Sequence, residues 1–353
     1  MLDWKLTDII LHLRSTYWKG WRTQLVVRLS LGCHEQYLQT RLGIAKVDGQ
    51  QLSQFISDAQ QAVWASREVR EQLQKNQVSV VPANFYSNIP TLDEIADSFE
   101  YSNIGEPPYL DVGIFDSLSL REELISLAEY SADFDPPKDG DSENPTAFFW
   151  GNDQFPFIDG MVYHAVLRKL KPRNVVEIGS GFSSLVAIEA LRLNGSGKLT
   201  CIEPFPRRFL QNRAESGQLE LIRQKAQSFA DLNDLLQDGD VLFIDSTHTV
   251  KIGSDCLHLY LRLLPKIKRR IWVHVHDIFL PFGMPADWAQ DLHIYWTEQY
   301  LLLAFLLDNP KAKLKFGAKY HEHIDRQLLE QTFMRGRATS NGGSLWFEYD
   351  GTK

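Results

Sequence analysis

From residue 146 onward the chain alternates between two hydrophobic rhythms. Short apolar runs rich in β-branched residues recur near 174–178, 199–202, 219–222, 241–244 and 270–276, and such runs predict buried strands. Between and after them, apolar residues fall at helical spacing over 183–193, 206–215, 229–236, 252–263 and 290–308. Strands alternating with helices predict a parallel sheet covered on both faces. A helix from Phe155 to Leu170, stopped by Lys171-Pro172, precedes the first strand, and Lys313–Phe316 with Ser344–Tyr349 predict a closing antiparallel hairpin.

The first 145 residues lack this rhythm. Leu52, Phe55, Ile56, Ala59, Val63 and Ala65 predict one amphipathic helix over 51–74, which needs a surface to cover. Residues 1 to 47 join Trp4, Trp18 and Trp21 to an excess of Lys and Arg. They read as a short helical appendage packed on the main domain or a partner subunit, with membrane-surface binding as the competing reading. From Asp93 to Glu143, fifteen Asp and Glu are opposed only by Arg121 and Lys138. Helices near 91–99 and 118–130 with a solvated face account for this; a funnel for a cationic substrate is the alternative. Asp135-Pro136-Pro137-Lys138-Asp139-Gly140-Asp141 reads as a linker. The expected division is a helical cap or dimerisation region, 1–145, and a ligand-binding domain, 146–353.

Composition narrows the picture. An apolar fraction of 44% over 353 residues supports a packed core, and a net charge of −8 disfavours nucleic acid as a partner. Cys33, Cys201 and Cys256 lie too far apart in sequence for a C-x-x-C pair and read as reduced structural thiols. Charges scattered through the N-terminus leave no signal-peptide core, and no apolar run reaches membrane-spanning length. These features predict a soluble, cytoplasmic protein without membrane insertion.

The candidate chemistry starts at Asn174-Val175-Val176-Glu177-Ile178-Gly179-Ser180-Gly181-Phe182-Ser183-Ser184, a strand, a glycine turn and a helix start. Glycine permits a sharp turn and close approach to a ligand, and the helix that follows offers unpaired N–H groups. A dinucleotide fold wants a third glycine where Ser184 stands, which weighs against an NAD-binding oxidoreductase. Glu203 ends the next strand, where a carboxylate binds both hydroxyls of a ribose. Asp245 ends the fourth strand.

Glu177-x-Gly179-x-Gly181 resembles motif I of class I S-adenosylmethionine-dependent methyltransferases. The resemblance deepens in Phe243–His248 (F-I-D-S-T-H), Val273–Pro281 (V-H-V-H-D-I-F-x-P), Pro285–Trp288 and Trp296–Tyr300, motifs of a bacterial family of that class. It implies an α/β, Rossmann-like fold, a seven-stranded and mostly parallel sheet with a C-terminal antiparallel hairpin, plus a helical N-terminal region. The implied cofactor, S-adenosylmethionine, would be held by Glu177, Gly179, Ser180, Gly181, Phe182, Ser183, Glu203, Gln227 and Asp245, its cationic sulfur favoured by the acids.

Asp245, His248, His276 and Asp277 end adjacent strands and are expected to converge beside the methyl group, whereas His274 reads as a core histidine. His248 is the expected base for a hydroxyl acceptor. Alternatively Asp245, His276 and Asp277 bind magnesium or manganese, as the resemblance to catechol-type O-methyltransferases implies. Tyr86, Asn152, Asp159, Trp288 and Tyr300 are the substrate-side candidates. The expected reaction is O-methylation of a hydroxyl or carboxylate on a small molecule, sugar or peptide natural product. A noncatalytic binding module is the remaining alternative, and a homodimer through the N-terminal helices is open.

Overall fold

The computed structural model describes residues 25–29, 49–102, 105–335 and 342–353. The chain forms two compact units, Met1–Asp97 and Ser98–Lys353. In the first, β1 (Leu25–Leu29) pairs in parallel with β2 (Val78–Pro82). Helices α1 (Gly49–Val63), α2 (Arg67–Lys75) and α3 (Leu92–Ala96) complete it. The single helix expected over 51–74 is two helices, because the Ser66 side chain accepts from the Val69 amide and starts α2 afresh. Residues 25–29 form a strand where a helical appendage was expected; the rest of 1–47 lies outside the described residues.

The second unit begins at Ser98, so the acidic stretch after it belongs with the sheet and not with a separate 1–145 region. Its helix α4 (Ser117–Ser126) shows why: Leu120 and Leu124 are fully buried in the core of the sheet domain. Helix α5 (Phe157–Leu170) leads into β3 (Asn174–Ile178), α6 (Phe182–Asn194), β4 (Lys198–Ile202), α7 (Arg208–Glu215) and β5 (Glu220–Ile222). Then follow β6 (Val241–Ile244), α8 (Asp255–His258), β7 (Arg270–Val275), α9 (Ala286–Gln290), α10 (Glu298–Leu306) and β8 (Ala312–Gly317). The chain closes through α11 (Ala318–Ile324), α12 (Arg326–Leu329) and β9 (Leu345–Asp350).

The sheet has seven strands in the order β5-β4-β3-β6-β7-β9-β8. The first five are parallel, and β9 runs antiparallel to both neighbours. The last two strands are thus the expected antiparallel pair but not a simple hairpin, since α11 and α12 intervene and β9 inserts between β7 and β8. Strand alternation divides the core: Val175 and Phe243 face α5 and α6, whereas Val176, Leu242 and Ile244 face Leu259, Tyr260 and Leu302. Each large apolar side chain buried this way contributes roughly 1.5–3 kcal/mol.

Two expected helices fail for local reasons. Residues 229–236 form turns, with Asp231 accepting from the Asn233 amide and the Asn233 side chain tied to the backbone of Lys266 and Lys268. Short polar side chains that bind backbone compete with a helix ladder in this way. Over 290–308 a loop from 291 to 297 separates α9 from α10. Among the described residues no helix is long and apolar enough to cross a membrane.

Candidate functional site

Strands β4, β3, β6 and β7 stand side by side, and their carboxyl ends form the edge where open α/β sheets bind ligands. Gly179 leaves β3 with φ +80°, and a Cβ there would lie 1.7 Å from the Asp245 carbonyl oxygen. Only glycine lets the turn cross the tip of β6. Gly181 is different: φ is −167° and an added Cβ would meet nothing within 4 Å, so the turn does not demand a second glycine. Gly181 caps α6, whose first N–H groups are exposed to the crevice for want of intrahelical partners.

Around this turn the expected ligands separate into two kinds. The Glu203 carboxylate accepts from the Phe205 amide at 2.7 Å and the Ser180 amide at 3.4 Å, and burial raises its pKa. The hydroxyls of Ser180 and Ser183 are buried without a protein partner, as suits groups that await a ligand. Gln227 sits at the rim, its side chain donating to the Gly253 carbonyl. Glu177 and Phe182 correct the expectation. Glu177 is fully buried under the turn, accepting from Tyr163 at 3.0 Å, from Ser184 and from Cys201. Burial pushes its carboxyl up to about 7, against the hydrogen bonds of Ser184 and Tyr163. It braces the loop from below. The Phe182 ring lies in the core between Phe149 and Phe209.

The tips of β6 and β7 hold a second cluster. The Nε2 of His248 lies 3.1 Å from Asp245 and 3.6 Å from Asp277, and its Nδ1 is 2.8 Å from Glu298. The Nδ1 of His276 lies 3.5 Å from Asp245 and 3.6 Å from Asp277, and its Nε2 is 3.1 Å from Asp159. Positive φ at His248 and Asp277, +55° and +56°, turns both side chains over the sheet edge. The His248 carbonyl accepts from Thr297 and Glu298, fixing its loop to the start of α10.

Burial alone would lower the His248 pKa, but its bonds to Asp245 and Glu298 and the nearby Asp277 push it up to about 10. His276 is raised in the same way, burial being outweighed by Asp277 and Asp245. Asp245 is held well below the usual carboxylate range, since His276 and His248 overcome the effect of burial. A histidine held in its charged form is a poor base at neutral pH. His274 is the core histidine expected, bonded to Ser344 and stacked on Trp346.

The five substrate-side candidates stand in different surroundings. Asn152 is buried, donating to the Phe149 and Phe155 carbonyls and accepting from the Gln154 and Phe155 amides, so it staples a loop. Asp159, fully buried, accepts from Gly343 and Ser344 amides and from His276, and so orients His276. Tyr300 donates to Glu100, which also accepts from Tyr109. Trp288 packs on Phe279 and on Trp296, whose ring lies 4.3 Å from that of His248. Tyr86 belongs to the first unit, where its exposed ring stands against Phe85. Sequence reasoning assigned no role to Glu298, although it stands in the W-x-E-x-Y stretch singled out there.

Strand order with an antiparallel seventh strand, a glycine turn after the first strand of the sheet and an acid after the second define a class I methyltransferase fold. Residues 176–278 match the family model described as a methyltransferase domain. A curated relative, an uncharacterized protein of Archaeoglobus fulgidus, is 29% identical over 136 residues. That stretch is 37% of this chain and 60% of the archaeal protein, so the match spans less than two thirds of the relative. Among solved structures, the plantazolicin methyltransferase BpumL, in complex with a triazolic desmethylPZN analog and SAH, is 14% identical with a TM-score of 0.36. It covers 66% of this chain and 99% of its own. The mitomycin 7-O-methyltransferase MmcR is 18% identical with a TM-score of 0.27, covering 53% of this chain and 52% of its own.

Proposed function

We propose that this chain transfers the methyl group of S-adenosylmethionine to an oxygen of a small molecule, sugar or peptide natural product. The observation that carries this reading is the pair of carboxylates, Glu203 and Asp245, on either side of the Gly179 turn. Such a crevice favours a ribose and a cationic sulfonium, whereas a pyrophosphate would be repelled. In the transfer, the acceptor oxygen attacks the methyl carbon as the carbon–sulfur bond breaks, which needs the three atoms held in line. S-adenosylhomocysteine and the methylated acceptor result, with any hydroxyl proton passing to the site. A carboxylate acceptor has no proton to lose, and the charged imidazoles of His248 and His276 suit it as orienting groups. Two imidazoles among the donors at β6 and β7 fit magnesium poorly, since it prefers oxygen ligands.

Calorimetric titration tests the reading. Micromolar binding of S-adenosylhomocysteine with no binding of NADH is expected; binding of NADH alone would overturn it in favour of an oxidoreductase.

A further inference from the structure

The structure assigns to Tyr260 a positioning role at the methyl-transfer site: its hydroxyl sets the Glu298 carboxylate, and Glu298 in turn sets the His248 ring. The backbones of these last two residues are already locked together. The His248 carbonyl accepts from the Thr297 and Glu298 amides at 2.8 and 3.0 Å, and the Thr297 hydroxyl accepts from the Val250 amide at 2.8 Å. One residue on, Gln299 accepts from the Phe279 amide at 3.0 Å. The first turn of α10 is therefore fixed, but the Glu298 side chain still has three torsions between that turn and His248. Tyr260 removes this freedom. It donates to Oε1 at 2.8 Å, while Oε2 meets Nδ1 of His248 at 2.8 Å. Glu298 is 1% exposed, and a carboxylate so buried needs a donor for each oxygen. One donor is His248 itself, so among the described residues Tyr260 is the group that decides which way the carboxylate turns.

The surroundings of Tyr260 set its hydroxyl apart from its ring. After α8 the chain widens into a π-helical turn, Leu259–Leu263, a rare conformation that often marks functional positions. Leu259, Tyr260 and Leu263 are fully buried there, and the Tyr260 ring packs on Phe305 in the core of the sheet domain. A phenylalanine would fill that space as well, so packing does not account for the hydroxyl. A hydrogen bond at one imidazole nitrogen fixes the ring plane and thereby aims the other. Nε2 of His248 is aimed in this way at Asp245, 3.1 Å away, and Asp277, 3.6 Å away. His276 is held differently: two backbone amides fix the Asp159 carboxylate behind it, and no side-chain donor is needed to aim it. A change at Tyr260 should therefore reach His248 and spare His276. The use of the aimed ring in orienting an acceptor rests on the methyl-transfer reading; the aim itself does not.

The test records proton NMR spectra of the full chain carrying isotope-labelled histidine, with S-adenosylhomocysteine calorimetry on each sample. The parent should show a slowly exchanging, far-downfield imidazole N–H signal for each of His248 and His276, assigned by its loss in His248→Gln and in His276→Gln. Tyr260→Phe should speed solvent exchange of the His248 signal by about 10-fold or more. It should leave the His276 signal within about twofold. In a Glu298→Gln background the same change should do less than about threefold, because the hydroxyl acts through that one carboxylate. Tyr260→Phe should bind S-adenosylhomocysteine within about threefold of the parent, which shows it folded, since its ring is retained and does not line the glycine turn. Absence of a downfield His248 signal in the parent overturns the inference whether or not any variant folds. So does an unchanged His248 signal in Tyr260→Phe, or an equal change at both histidines, which would make the hydroxyl merely structural. A His248 signal that responds in a chain without S-adenosylhomocysteine binding would leave the inference standing and remove the methyl-transfer reading instead.

Discussion

The glycine-turn half of the crevice and the histidine half are built on opposite plans. At β3 and β4 the key groups follow their own strands, and contacts such as Ser180 to Glu203 or Phe205 to Glu203 lie within one βαβ unit. At β6 and β7 the same small volume draws on Asp159, residues 245–248, 276–277, Glu298 and the 343–344 backbone. The first half turns on one backbone contact, Gly179 against the Asp245 carbonyl. The second depends on paired side chains, where losing one partner strands another.

The sharpest break is Gly179→Ala. With a positive φ and a Cβ aimed at the Asp245 carbonyl, it should cost several kcal/mol and about 100-fold or more in S-adenosylhomocysteine affinity. Calorimetry and thermal melting report both, and a variant that binds like the parent would refute the close crossing. In the other half, Asp159→Asn should cut methyl transfer by about 10–100-fold while leaving cofactor affinity alone, because it disturbs the orientation of His276. Single-turnover rates set beside calorimetry decide this; an equal loss in both quantities would erase the division between halves.

Beneath the glycine turn, Glu177 makes stability depend on pH. Its folded pKa of about 7 stands above the ordinary 4.5, so its contribution is full below pH 4.5 and is lost as pH rises through 7. Relative to Glu177→Gln, the parent should lose about 3 kcal/mol between pH 4.5 and pH 8. Denaturant midpoints across that range measure it, and parallel curves for the two proteins would exclude a raised carboxyl. Asn152→Ala should lower stability by about 1–3 kcal/mol, stranding buried loop groups, with no change in acceptor KM. A KM effect would restore its substrate role. Smallest of all, Gly181→Ala should alter cofactor affinity by less than about threefold, since its φ and surroundings accept a Cβ.

The two halves also differ in how far the chain announced them. All five parallel strands of the second unit follow from short apolar runs, and the glycine turn with Glu203 follows from its position after two of them. Glu177 misled because its place at the strand end resembles a ligand position. Only the packing of Tyr163, fourteen residues away, and Ser184 turns it inward. Residues 229–236 carry helical spacing, but Asn233 bonds to the backbone beyond Lys266 and prevents a helix.

What the sequence determined by itself was therefore the sheet, its parallel wind, the Gly179 turn and the types of side chain placed at each strand tip. These depend on hydrophobic period and backbone sterics over a few residues, which any stretch of chain carries with it. Tertiary structure alone decided that His248 faces Glu298, fifty positions on, and that His276 faces Asp159, 117 positions back. It also turned a presumed base into a histidine held charged among carboxylates. Such pairings arise from how distant strands and helices stack, and no local spacing encodes the electrostatics of groups that meet only after folding.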